Sequence, residues 1–193
     1  LQATLTTICI NIILAVSLNL VTGVLGQLVL GHAGFMLVGA YTSALFTMNI
    51  GLDLKIAFPI SLVLAGLMAA VFGVIIGIPA LRLKGDYLAI ITLGFGEIIR
   101  VIANNLKITN GAMGLSGIKS LSTTKNPSPM FIYAYALAAL TVFLMFTFGR
   151  SRHGRAVIAI REDEIAAESM GINTTYYKLF TFVLAAFFAG VAG

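Results

Sequence analysis

The sequence predicts an all-α, polytopic integral membrane helical bundle, and three observations carry that prediction. Only 10% of the 193 residues are charged while 59% are hydrophobic, with a mean hydropathy of +1.02; a soluble domain usually carries about a quarter of its residues charged. Residues 1–52 contain no Lys, Arg, Asp or Glu, a stretch far longer than the roughly 20 apolar residues one helix needs to cross a bilayer. Arg150, Arg152, Arg155, Arg161, Glu162, Asp163, Glu164 and Glu168, eight of the nineteen charged residues, crowd one short stretch. Charge concentrated in one loop of a membrane protein is charge presented to something outside the bilayer.

Six membrane segments are expected, at residues 1–21, 27–48, 56–81, 87–106, 130–149 and from about 177 onward. All must be helical, because hydrocarbon leaves no partner for an open backbone. The first two divide the uncharged stretch into two spans, or a span and a re-entrant segment. A signal peptide does not explain that stretch, since its apolar core runs only about 7–15 residues behind a basic flank. The third segment carries Pro59 near its start, Pro79 near its end, and Gly73 and Gly77 at the spacing that lets helices approach closely. Arg82 and Lys84 follow the third segment, and Arg150, Arg152 and Arg155 follow the fifth; positive residues beside span ends mark the cytoplasmic side. Lys107, Lys119 and Lys125 fall on the opposite side. The chain starts without Met and ends inside an apolar run, so the expectation is a single transmembrane domain over residues 1–193 that is a fragment, with spans missing at the C-terminal end.

Composition narrows the function classes. The net charge of +5 flanks apolar spans instead of forming a basic face, so nucleic acid is not an expected partner. A lone Cys9 forms no intrachain disulfide and points to no metal cluster. Trp is absent, which leaves Tyr and Phe to form any interfacial belt.

Within the membrane, residues 27–41 read QLVLGHAGFMLVGAY. His32 lies between Gly31 and Gly34, and an ionisable group at membrane depth is a functional-site candidate; a neutral His bonded to a neighbouring helix is the structural alternative. The glycines at 23, 26, 31, 34 and 39 fit either tight packing or a broken helix lining a cavity. Glu97 and Arg100, three residues apart in the fourth segment, share a helix face and are expected to pair and point inward. Asn104 extends the same face. Residues 114–117 read GLSG, which raises an intramembrane serine protease; Ser116 would then need a general base within hydrogen-bond reach, and His32 is the candidate.

In the charged loop, 150–176, residues 161–170 have helix-forming composition, Gly171 is a suitable C-terminal stop, and Asn173 or Thr174 can cap the sixth span. A helix there places Arg161, Glu164 and Glu168 on one face and offers Ala166 and Ala167 as a small surface for another protein.

Four stretches, GQLVLGHAGFMLVGAY at 26–41, GDYLAIITLGFGEIIRVIANN at 85–105, ITNGAMGLSGI at 108–118 and GRAVIAIREDEIAAESMGIN at 154–173, together make the chain resemble the LivM-type permease subunit of branched-chain amino-acid ABC transporters, the LivH/LivM family. Importer permeases of this kind carry a cytoplasmic signature of Glu-Ala-Ala, three variable residues and Gly. Ala166, Ala167 and Gly171 match it, Ile165 stands where the Glu belongs, and Glu164 lies one residue early. The resemblance implies the ABC importer permease fold with a short cytoplasmic coupling helix, formed here by Arg161, Glu164, Ala166, Ala167, Glu168 and Gly171. It implies a translocation pathway for which Gln27, Gly31, His32, Gly34, Glu97, Arg100 and Asn104 are the candidates. It also implies a multi-pass protein of the bacterial or archaeal inner membrane that hydrolyses nothing itself. Two cytoplasmic ATPase subunits would carry ATP and Mg, a second homologous permease subunit would complete the pore, and a periplasmic binding protein would deliver leucine, isoleucine, valine or a related substrate. The alternative is a stand-alone channel or ion-coupled carrier using Glu97, Arg100 and His32.

Overall fold

A computed structural model describes residues 2–49, 53–83, 85–117 and 128–193; Lys84, Lys119 and Lys125 of the charge pattern lie outside the described residues. The helices are α1 (Gln2–Asn19), α2 (His32–Asn49), α3 (Leu54–Ala80), α4 (Asp86–Asn105), α5 (Ser128–Arg150), α6 (Arg152–Glu162), α7 (Glu164–Ser169) and α8 (Thr174–Ala192). A π-helical turn, Leu20–Val24, extends α1, and a 3₁₀ turn, Gly111–Met113, follows α4. Among the described residues there is no strand.

Each of the six expected segments is a helix. Four helical stretches are long and apolar enough to cross a membrane: Gln2–Val24, Ile56–Ala80, Pro129–Arg150 and Thr174–Ala192. α2 and α4 fall short of that measure and hold their places by packing against the others. α2 starts at His32, five residues later than the sequence suggests, because the chain between Leu25 and Gly31 is not helical. α8 starts at Thr174, earlier than expected, with the Asn173 side chain accepting from the Tyr176 N–H at 3.0 Å as its cap.

Small residues decide the packing. On α3, Ala65, Ala69, Gly73 and Ala80 form a buried stripe, and α8 answers with Ala185, Ala186, Ala189 and Gly190. A Cβ on Gly73 would lie 2.9 Å from the Ala186 methyl, and one on Gly77 would lie 2.8 Å from Leu179. The GxxxG spacing therefore does serve close approach. α8 also receives α2, where a Cβ on Gly39 would collide with the Gly190 carbonyl. The outer face of α3 shows Ile60, Val63, Leu67, Val71, Ile75 and Ile78, an apolar stripe that water would not tolerate on a monomer and that lipid accepts.

Arg82 and the arginine-rich loop after α5 lie at the same end of the bundle, as alternating spans require. The ends of α1, α3 and α5 meet the start of α8 at one end of the bundle: Arg161 reaches the Gly23 carbonyl at 2.9 Å, and Arg82 shares a cavity with Glu164 and Lys178. Lys107 follows α4 at the other end.

Gly190→Val in the full-length protein is expected to lower stability by about 1–3 kcal/mol through overpacking, because the added Cβ would lie 2.7 Å from the Ala65 carbonyl. Gly94→Ala has open space around it and should unfold at or above the wild-type temperature. Thermal unfolding of both in detergent is the check; equal midpoints would remove close approach as the basis of the α3–α8 contact.

Candidate functional site

The first candidate site grows from the break between α1 and α2. The π-helical turn ends with Leu25 N donating to Leu20 O at 3.1 Å and Gln27 N to Val21 O at 3.0 Å; π-helical turns recur at functional positions. Gly26 then turns the chain with φ +74°. The chain runs non-helically back into the bundle, where Leu30 N donates to Thr92 Oγ1 on α4 at 3.2 Å. Gly31 presses so closely on the Thr92 carbonyl that a Cβ there would collide with it, and a Cβ on Gly34 would lie 3.1 Å from Gly96 Cα. Both glycine readings hold, at different positions: the chain is broken from 25 to 31, and Gly31, Gly34 and Gly39 serve close contact.

Beside this crossing lies a cavity of about 140 Å³, lined by Leu30, Gly31, Gly34, Leu37, Leu93, Gly96, Glu97 and Arg100, among others. Glu97 Oε2 accepts from Arg100 Nε and Nη2, each at 2.9 Å. The pairing is as the i, i+3 spacing predicts, but the direction is not. The two side chains are 55% and 62% exposed, because the backbones of α2 and α4 meet at glycine and leave no room between them. Asn104 is exposed further along α4 and does not line the cavity. A cavity with leucines on one side and a carboxylate–guanidinium pair on the other offers both apolar contact and charge.

His32 faces elsewhere. It is buried, its Nε2 lies 2.9 Å from Ser17 Oγ on α1, and its ring edge packs near Phe35. Ser17 directs its own proton to the Leu14 carbonyl at 2.9 Å, so the network assigns His32 Nε2 as the donor. His32 therefore ties the start of α2 to α1 and is not brought together with Glu97 and Arg100. Its engagement also leaves the protease reading without a base: Ser116 lies beyond the far end of α4. Gln27 Oε1 is enclosed and finds no donor within the described residues.

The second candidate site is the charged loop between α5 and α8. The expected single helix over 161–170 is instead two. Asp163 is extended (φ −153°, ψ 108°), ends α6 and caps α7, its Oδ1 accepting from Ile165 N at 2.9 Å and Ala166 N at 3.0 Å. An Asp that can cap a following helix competes with continuing the previous one. Arg161 consequently does not share a face with Glu164 and Glu168. It belongs to α6, pairs with Glu162 and donates to the Gly23 carbonyl, while Gly26 packs on its side-chain stem. Gly171 does end α7, at φ +83°, with Ile172 N bonded to Ala167 O at 3.1 Å. Ala166 is exposed, as expected of a docking surface, but Ala167 is buried in its own chain and offers nothing to a partner. Ile165 and Met170 are 78% and 83% exposed.

Lys178 is a residue that sequence reasoning missed. It is buried in α8, with Nζ 2.7 Å from Glu164 Oε1. Removing one member of such a pair costs about 3–5 kcal/mol, because the other charge stays behind. The signal was available: Lys178 is the single charged residue between 174 and 193, and a lone cation in an apolar run asks for a partner.

The chain is 43% identical to the high-affinity branched-chain amino acid transport system permease protein LivM of Escherichia coli K12, an alignment that covers 99% of this chain and 50% of that protein. It is 28% identical to the corresponding permease protein LivH of Escherichia coli K12 over 94% of this chain and 64% of that protein. It is 27% identical to the guanosine ABC transporter permease protein NupQ of Bacillus subtilis over 87% of this chain and 57% of that protein. The chain spans about half the length of the LivM relatives it matches. No solved structure matches it. With four helices able to cross a bilayer, it is a multi-pass membrane protein. The family described as branched-chain amino acid transport system / permease component matches across residues 1–193, and the chain belongs to that family.

Proposed function

We propose that this chain forms part of the permease subunit of an ATP-driven importer in the inner membrane that moves branched-chain or related amino acids. A periplasmic binding protein delivers the substrate, a second homologous permease subunit completes the pore, and two cytoplasmic ATPase subunits bind and hydrolyse ATP with Mg. The observation that carries this reading is the exposure of Ile165 and Met170 on a capped helix at the cytoplasmic end of the bundle. Large apolar side chains that face neither lipid nor core mark a surface for another protein. Ala166 between them lets that protein approach, and Glu168 adds charge at the margin. Family membership supports the same reading, as does the likeness to both LivM and LivH proteins.

The pathway we propose runs along the exposed face of α4, past the broken segment. A charged side chain at the centre of a membrane helix costs about 2.5–3.5 kcal/mol against lipid, whereas an exposed ion pair returns about 0–1 kcal/mol. Glu97 and Arg100 therefore face water or the second subunit, not hydrocarbon. Gly31 and Gly34 line the same cavity, Gln27 stands at the start of the broken segment with its amide oxygen enclosed, and Asn104 continues the exposed face of α4 outward. His32 contributes by fixing where α2 begins.

In vesicles holding the complete transporter, Glu97→Gln and Arg100→Gln are each expected to reduce uptake roughly tenfold, about 1.4 kcal/mol, while the ATPase still co-purifies. Wild-type uptake in both variants would dismiss the pathway. Ile165→Asp is expected to release the ATPase subunits from detergent-solubilised complex without loss of the membrane subunit. An undiminished ATPase yield would remove the docking assignment. Wild-type uptake that needs no ATPase and collapses with the proton gradient would instead establish a stand-alone carrier, the reading that an intramembrane Glu97–Arg100 pair favours by itself.

A further inference from the structure

We propose that Lys178 is the positioning residue that fastens the docking helix α7 to the span α8, so that the two move together. The inference rests on the transport reading above and identifies how a load on α7 would enter the membrane.

A side-chain contact joins α7 directly to α8, and two local contacts shape the turn between them. Glu164, the first residue of α7, accepts from Lys178 Nζ at 2.7 Å. The turn between the helices closes through Ile172 N on Ala167 O at 3.1 Å, with Gly171 in the left-handed conformation. Asn173 caps α8 through the Tyr176 N–H at 3.0 Å. The turn and the cap are local and would form in any helix–turn–helix. The ion pair is different, because it places a fully charged group where only 5% of Lys178 is exposed. A desolvated ammonium needs an anion held against it, so Glu164 must stay wherever Lys178 goes. Arg82 and Glu168 face the same cavity, with Thr174 and Thr175. The two acids and two cations balance there.

α6 also touches α8, the His153 ring lying against Tyr177 and Phe180 with centroids 5.9 and 6.3 Å apart, and it has a second attachment. Its last turn is tied by Arg161 to the Gly23 carbonyl at 2.9 Å, on the π-helical turn that leads into the broken segment. Between α6 and α7 stands one extended residue, Asp163, whose carbonyl accepts from Ala167 N at 3.0 Å in the first turn of α7. A push on Ile165 or Met170 is therefore borne by α7 and delivered through Glu164 and Lys178 to α8. α8 in turn packs on α3 and α2 through the backbone contacts at Gly73 and Gly39. Packed elements of this kind shift as units and do not deform continuously.

The test uses the complete transporter in vesicles, with Lys178→Gln, Lys178→Arg, Glu164→Lys, Lys178→Glu and the charge-swapped double variant Glu164→Lys/Lys178→Glu. Two quantities are read: ATPase recovered with the membrane subunits, and substrate moved per ATP hydrolysed. Lys178→Gln is expected to retain the ATPase and lower substrate per ATP at least about fivefold, the lower bound of a typical coupling energy. Lys178→Arg and the swap should recover most of it, since each rebuilds the pair. A Lys178→Gln variant with wild-type substrate per ATP overturns the proposal. So does a swap that assembles with the ATPase yet moves at least about fivefold less substrate per ATP than wild type, and this arm decides the matter if the single variants do not fold. Absence of the ATPase from the wild-type complex would defeat the transport reading itself, which is a separate result.

Discussion

Helices in hydrocarbon gain nothing from hiding apolar surface from one another, so their association depends on how closely their backbones can approach. In this chain that approach is concentrated on α8. It lies on the alanine and glycine stripe of α3 and receives the Gly39 turn of α2 against Gly190. A second close approach, Gly31 and Gly34 against Thr92 and Gly96, holds α4 to α2. Everything else follows from these two seams: where the lipid-facing stripe of α3 points, where the chain breaks, and which polar side chains are left outside.

The polar groups divide by what they do for the bundle. Ser17 and His32 satisfy each other between α1 and α2, and Lys178 and Glu164 satisfy each other between α8 and α7. These pairs are enclosed and hold elements together. Glu97 and Arg100 also pair, but on an open face beside an apolar cavity, where the pair stabilises nothing that the glycine seam does not already fix. Enclosed pairs hold the scaffold, and the open pair is left exposed beside the cavity.

Much of this is legible in the sequence where the deciding physics is local. The i, i+3 spacing gives the Glu97–Arg100 pair, Gly171 gives the end of α7, and Asn173 gives the cap of α8. The apolar runs give all six helices. What is not legible depends on residues distant in sequence. The outward direction of Glu97 and Arg100 is set by Gly31 meeting α4 some sixty positions later, and the start of α2 at His32 has no polar boundary to announce it. The break at Asp163 lay between the two cases: capping by Asp is a local signal, but the helix-forming run from Arg161 to Met170 obscures it. Ala167 carries the signature spacing and still packs into its own chain.

The non-helical stretch from Leu25 to Gly31 has a consequence for how the chain is built into a membrane. Its backbone amides cannot be left open in hydrocarbon, and Leu30 N finds its acceptor on Thr92, 62 residues further along the chain. During synthesis that acceptor does not yet exist when α1 and α2 leave the ribosome. The Leu30 amide can therefore reach its final partner only after α4 has been made. This part of the chain thus does not settle strictly in the order of its synthesis: the stretch before α2 gains its acceptor only once α4 has been made.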